Sequence, residues 1–125
     1  MITDKNCLDE DHARILAAET LLGLESLHNK NIIFRDLKPD NIVIDSDGHA
    51  MVTDFGLAKF GLTYKNATQS FCGSIAYLAP EMLNREGHNL SIDWYLFGVL
   101  IYEMIAGIPP FYNGNYSKEE LFEKI

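Results

Sequence analysis

Ala13, Leu16, Ala17, Leu21, Leu24 and Leu27 recur at steps of three and four residues, a spacing that gathers them on one face of an α-helix. Asp9, Glu10 and Asp11 precede them, where the positive end of a helix dipole favours acids. Asn29-Lys30-Asn31 interrupts the pattern. Ile15 and Leu22 fall off the stripe, so this helix is expected to be buried on more than one side. Ile32-Ile33-Phe34 reads as a short strand. Ile42-Val43-Ile44 and Met51-Val52-Thr53 flank Asp45-Ser46-Asp47-Gly48-His49; two apolar runs around an Asp-Gly turn predict a β-hairpin. From Gly56 to Pro80 no period is visible and Gly, Ser, Thr and Asn abound, a length of irregular chain that usually carries function. Ser91 is expected to cap a helix over 92–106. That helix is apolar nearly all round and is therefore expected to be the most buried segment. Ser117-Lys118-Glu119-Glu120 has the form of a capping box opening a last helix.

Of the 125 residues 47% are apolar and 22% charged, a balance that suits a packed core rather than disorder. Eighteen acids against ten bases give a formal charge of −8. The excess is spread over both halves, and it argues against nonspecific binding to nucleic acid or an anionic membrane. Met1–Lys5 lacks the charged-then-apolar order of a secretory signal. Trp94–Tyr112 carries only Glu103 as a charge, but Gly107 and Pro109-Pro110 end the helix too early for the ~20 residues of a membrane span. Cys7 and Cys72 have no disulfide or metal-site spacing, which makes a reducing compartment and a cytoplasmic location the expectation.

Chemistry concentrates in Arg35-Asp36-Leu37-Lys38-Pro39-Asp40-Asn41, on a loop between two strand-like runs, and in Asp54-Phe55-Gly56 at the end of the hairpin. Asp54 and Asn41 offer the hard oxygen ligands that Mg²⁺ requires. Phosphoryl transfer to a hydroxyl needs a base near the nucleophile and a cation near the moving phosphate, roles open to Asp36 and Lys38. Any one of these residues alone is more commonly a turn former or a solvated charge. Both motifs in this order, followed by Ala79-Pro80-Glu81, match the protein-kinase signature set.

The whole chain thus resembles the C-terminal lobe of a eukaryotic protein kinase. Lys38, two residues beyond Asp36, is the serine/threonine-kinase form of the loop. Asp54–Lys59 and Ser70–Ser74 are similar to the group containing cyclic-nucleotide-dependent kinases and protein kinase C. The resemblance implies an α+β fold: a mainly helical large lobe with small β-hairpin elements, residues 1–125 forming a partial kinase domain without the small lobe. It implies ATP and Mg²⁺ as cofactors, protein serine or threonine hydroxyls as substrates, and an upstream activating kinase as a partner. Carried over by position, Asp36 is the catalytic base and Lys38 lies near the γ-phosphate. Asn41 and Asp54 hold Mg²⁺, and Val43 lies below the adenine. Ser74 links the substrate loop to Asp36 and Lys38, Asp93 braces the catalytic-loop backbone, and Phe55 stacks on Phe34 above Leu100 and Met104. Ser70 matches an activating phosphosite, with Arg35 and Lys59 as its cationic partners. Asp40 and Glu103 correspond to acids that receive basic residues upstream of the target. Glu103, a lone acid on an apolar helix, is expected to face a cleft or find a cationic partner. Phe71, Ile75 and Leu78 correspond to an apolar pocket for the residue after the target.

Two departures stand out. Phe34 replaces the family's His or Tyr before Arg-Asp, which keeps the apolar contact and loses a hydrogen-bonding edge. Gly73-Ser74-Ile75-Ala76-Tyr77 differs from the usual Gly-Thr-Pro-Glu-Tyr and removes one familiar acid. Within the 125 residues there is also no Gly-rich loop, no strand lysine and no partner glutamate ahead of the catalytic loop. Those parts hold the nucleotide phosphates, so the isolated chain is expected to have negligible kinase activity, with a noncatalytic docking or decoy module as the alternative. Glu81 is expected to lack its cationic partner, and an apolar surface is expected where the small lobe would sit.

Overall fold

A computed structural model describes residues 7–112 and 114–125; the Met1–Lys5 stretch lies outside them. Helix α1 runs from Glu10 to His28. The Asp9 side chain caps it by accepting from the His12 amide, and Asn31 leaves it in a left-handed conformation, φ 57°. Strand β1, Ile32–Ile33, follows, then a 3₁₀ turn over Pro39–Asn41 and the hairpin of β2, Ile42–Ile44, and β3, Ala50–Val52. The hairpin register pairs Ile42 with Val52, Val43 with Met51 and Ile44 with Ala50. Asp45 builds its turn, its Oδ1 accepting from the Asp47 and His49 amides. Close approach of the hairpin to α1 depends on Gly23, where a Cβ would meet Val52 Cγ2 at 3.2 Å.

The 56–80 stretch is less irregular than its composition predicts. It contains β4, Lys59–Phe60, which pairs antiparallel with β1, and a 3₁₀ turn over Ile75–Tyr77. A short α2, Pro80–Leu83, leads to the long α3, Ser91–Ala106, which Gly107 closes at φ 80°. In α4, Lys118–Lys124, the expected capping box is formed on both sides by Ser117 and Glu120.

Two apolar clusters make the core. Leu24, Phe34, Leu37, Leu96 and Leu100 form one, and Ile33, Leu62, Leu78, Ala79, Met82, Leu90 and Ile92 the other. Helix α3 belongs to both. Each buried leucine contributes about 1.5–3 kcal/mol, and the cluster that holds Phe34 and Leu37 anchors the loop between β1 and β2.

Three expectations need correction. Ile15 and Leu22 are 57% and 62% exposed and Leu21 is also exposed. The buried positions of α1 are instead Ala13, Thr20, Leu24 and His28, because Thr20 satisfies its hydroxyl on the Leu16 carbonyl and His28 finds polar partners inside. Ser91 is the first helical residue rather than the cap, and its amide donates to Asn89 Oδ1. Helix α3 buries Ile92, Asp93, Leu96, Val99 and Leu100 but leaves Tyr102 and Ile105 about half exposed, each at the edge of an open cavity, Ile105 beside α1 and Tyr102 beside Pro110 and Phe111. No helix there is long and apolar enough to cross a membrane.

Candidate active site

The Arg35–Asn41 loop is held from beneath. Asp93, fully buried on the first turn of α3, accepts from the Phe34 amide at 2.8 Å and the Arg35 amide at 2.8 Å, and meets His28 Nε2 at 2.7 Å. With Phe34 and Leu37 fully buried on either side, the backbone between them has little freedom. Arg35 adopts φ 68°, a left-handed conformation unusual for a side chain of its size. Above this brace, Lys38 Nζ donates to both Asp36 carboxylate oxygens, at 3.2 and 3.1 Å, and to Ser74 Oγ at 3.4 Å. Asn41 Nδ2 donates to the Asp36 carbonyl and to its Oδ2, both at 2.8 Å. Asp36, Lys38, Asn41 and Ser74 therefore form one hydrogen-bonded group.

Asp54 follows Thr53, whose amide donates to the Asn41 carbonyl at 2.9 Å. It is exposed, also left-handed at φ 62°, and its Oδ1 accepts from the Gly56 amide. Asn41 spends its amide hydrogens on Asp36, leaving its carbonyl oxygen as the end that can meet a cation. Among the described residues no three His, Cys, Asp or Glu side chains form a protein-only metal cluster. One carboxylate and one carboxamide oxygen nevertheless fit Mg²⁺, which takes few protein ligands and completes its shell with water and phosphate.

Phe55 meets Phe34 edge-to-face, ring centres 5.6 Å apart, rather than stacked. Leu100 is buried, and Met104 packs on its cluster. Val43, Ile44, Met51, Phe55 and Phe60 are all exposed by more than 40%.

Further along, Arg35 donates through Nε to the Leu57 carbonyl and through Nη1 to Ser70 Oγ. Lys59 reaches Thr68 Oγ1 at 2.6 Å, and that hydroxyl lies 3.4 Å from Ser70 Oγ. Ser70 thus has one cation against it and a second one hydroxyl away. Thr68 is fixed by a two-bond antiparallel bridge to the buried His88.

Glu103 lines an open apolar pocket with Pro39, Ile42, Leu100 and Met104. Its partner is neutral rather than cationic: the Tyr77 hydroxyl donates to Oε2 at 2.7 Å. Burial pushes the Glu103 carboxyl up, the Tyr77 bond opposes this, and nearby Asp40 adds to the rise. Asp40 itself is exposed. Ile75 leans on the core cluster that contains Leu78, which is only 2% exposed and so lies behind the surface, while Phe71 stands half exposed. Glu81 is half-buried rather than sealed. Sequence reasoning missed His28 and Tyr77, polar residues whose partners lie 65 and 26 positions away. Only the placement of a histidine on the apolar face of α1 hinted at the first.

A family model for the protein kinase domain matches residues 1–125. The chain is 44% identical over 121 residues to the serine/threonine-protein kinase Sgk1 of Homo sapiens, covering 97% of this chain and 28% of that protein. It is 47% identical over 116 residues to Protein kinase 2 of Dictyostelium discoideum, covering 93% of this chain and 24% of that protein. The chain belongs to the protein kinase domain family. It spans only about a quarter of the length of these relatives.

Proposed function

We propose that this chain forms the C-terminal lobe of a serine/threonine protein kinase that transfers the ATP γ-phosphate to protein hydroxyls. The observation that carries this reading is the grouping of Asp36, Lys38, Asn41 and Ser74 in one hydrogen-bonded set next to Asp54. Asp36 accepts the proton of the substrate hydroxyl as its oxygen bonds to the γ-phosphorus and the bond to the departing ADP oxygen breaks. Lys38 places positive charge beside the phosphoryl group in flight. Asn41 and Asp54 would hold Mg²⁺, which supplies charge neutralisation on the phosphates. Val43, exposed on β2, offers the adenine an apolar floor. A cytoplasmic location and protein partners go with this activity.

Ser70 serves as the activating phosphosite. A phosphate there adds up to two negative charges against Arg35 and within reach of Lys59, ordering the segment by charge-assisted hydrogen bonds. Asp40 and Glu103 favour substrates with basic residues upstream of the target, while Phe71 and Ile75, with Leu78 behind them, favour an apolar residue after it.

The test is a peptide-kinase assay on the full-length protein. Asp36→Ala is expected to lower turnover by several orders of magnitude, and the 125-residue chain alone to transfer no measurable phosphate. Wild-type turnover in Asp36→Ala would refute the assignment. Equal rates on peptides with and without upstream arginines would remove the roles of Asp40 and Glu103.

A further inference from the structure

The 61–66 stretch is docked beside the brace rather than passing over it. Leu62 is buried in the core and its amide donates to the Asn31 carbonyl at 3.2 Å, while Asn89 Nδ2 donates to the Tyr64 carbonyl at 3.2 Å. Tyr64 is 55% exposed, yet its hydroxyl turns inward. It receives the Trp94 indole N–H at 2.9 Å and lies 3.3 Å from His28 Nδ1. The His28 ring meets Trp94 and Tyr64 edge-on, with centres 4.7 and 6.2 Å away. Its other nitrogen, Nε2, is the one 2.7 Å from Asp93.

The directions of these bonds follow from chemistry. An indole N–H only donates, so the Tyr64 oxygen accepts from Trp94 and its own hydrogen is available to His28 Nδ1. A neutral His28 that accepts at Nδ1 carries its proton on Nε2, where it donates to Asp93. A half-turn of the imidazole would exchange Nε2 for a carbon and empty that bond. With Asp93 on Nε2 and the Tyr64 hydroxyl on Nδ1, both ring nitrogens are held in this orientation, and the Tyr64 bond adds to the one that Asp93 makes.

We propose that Tyr64 is a positioning residue for the catalytic loop. Its hydroxyl, held by the Trp94 indole, fixes the orientation of His28, and His28 holds the Asp93 carboxylate that grips the Phe34 and Arg35 amides. The loop carrying Asp36 is thereby tied to a residue of the 56–80 segment through side chains alone. Any effect on phosphoryl transfer rests on the kinase reading above, whereas the linkage itself is read without catalysis.

Amide hydrogen exchange of the full chain tests it. Tyr64→Phe keeps the ring and removes only the hydroxyl. The Phe34 and Arg35 amides are expected to exchange about three- to tenfold faster, the effect of losing one hydrogen bond from the chain. The Leu24 and Leu96 amides, which report the global core, should be unchanged. Trp94→Phe, which takes away the donor but leaves the Tyr64 hydroxyl to His28, should give a smaller change in the same direction. Unchanged protection at Phe34 and Arg35 would overturn the proposal, as would equal acceleration at Leu24 and Leu96. Failure of both variants to fold would mark Tyr64 as structural and overturn it too. If the loop amides respond but full-length turnover is intact in both Tyr64→Phe and Asp36→Ala, it is the kinase reading that fails and the linkage that stands.

Discussion

The loop from Phe34 to Asn41 and the segment from Asp54 to Leu78 lie side by side and are held by different means. In the first, Phe34, Arg35, Leu37 and Asn41 are buried and the anchor is a carboxylate on main-chain amides. In the second, Asp54, Phe55, Gly56, Ser70 and Phe71 are exposed, and Ser70 is held by side-chain bonds to Arg35 and Thr68. A buried carboxylate with three partners has one low-energy arrangement. A surface hydroxyl bonded to a cation can exchange with water at little cost. One region is anchored in the core and the other is held at the surface.

The largest test of this contrast is Asp93→Ala. It strands two backbone amides and a buried histidine, and is expected to lower stability by about 3–5 kcal/mol in urea denaturation. A loss below about 1 kcal/mol would erase the distinction between the regions.

Gly56→Ala probes the boundary between them. A Cβ there would come within 3.1 Å of Asp54 Oδ1, so the carboxylate must shift. Stability should change by less than about 1 kcal/mol, while calorimetry on the full-length protein should find Mg-ATP bound several-fold more weakly. Unaltered nucleotide affinity would mean that Asp54 is not a ligand in that geometry.

Glu103 offers a pH handle on the far side of the loop. Burial raises its carboxyl above the ordinary 4.5, so the folded chain binds this proton more readily than the unfolded chain does. The stabilisation is present below about that value and is lost as pH rises through the folded one. Glu103→Gln should flatten this acid-side dependence in denaturation curves taken across it. An unchanged slope would show that the Tyr77 bond cancels the effect of burial.

The smallest expected effect is Ser70→Ala, less than about 1 kcal/mol by thermal melting. A larger loss would mean that the exposed segment is braced as firmly as the buried loop.

What the sequence disclosed divides along the same line of locality. The span of α1, the hairpin and the Ser117–Glu120 box were legible because periodicity, an Asp-Gly turn and capping chemistry act within a few residues. Asp36, Lys38 and Asn41 were legible as a set because they are nearly contiguous, and Asp54 because it ends the hairpin. Strand β4 was not, since a two-residue strand exists only through its partner β1. Nor were Thr20 and His28 on the buried face of α1, where a polar residue with a satisfied bond is invisible to apolar periodicity. The half-exposed side of α3 misled for the opposite reason: apolar composition records what a surface could bury, not what lies against it.

The Asp93 carboxylate grips residues 34 and 35 by their amides, and every amino acid except proline has one. The anchor therefore does not read side-chain identity, and position 34 is free to vary chemically so long as it fills its buried space. Phe34 fills that space with an aromatic hydrocarbon, while the main chain beneath it stays tethered. Among apolar and aromatic residues a variant library at this position should sort by volume, with proline lost in addition for want of a hydrogen.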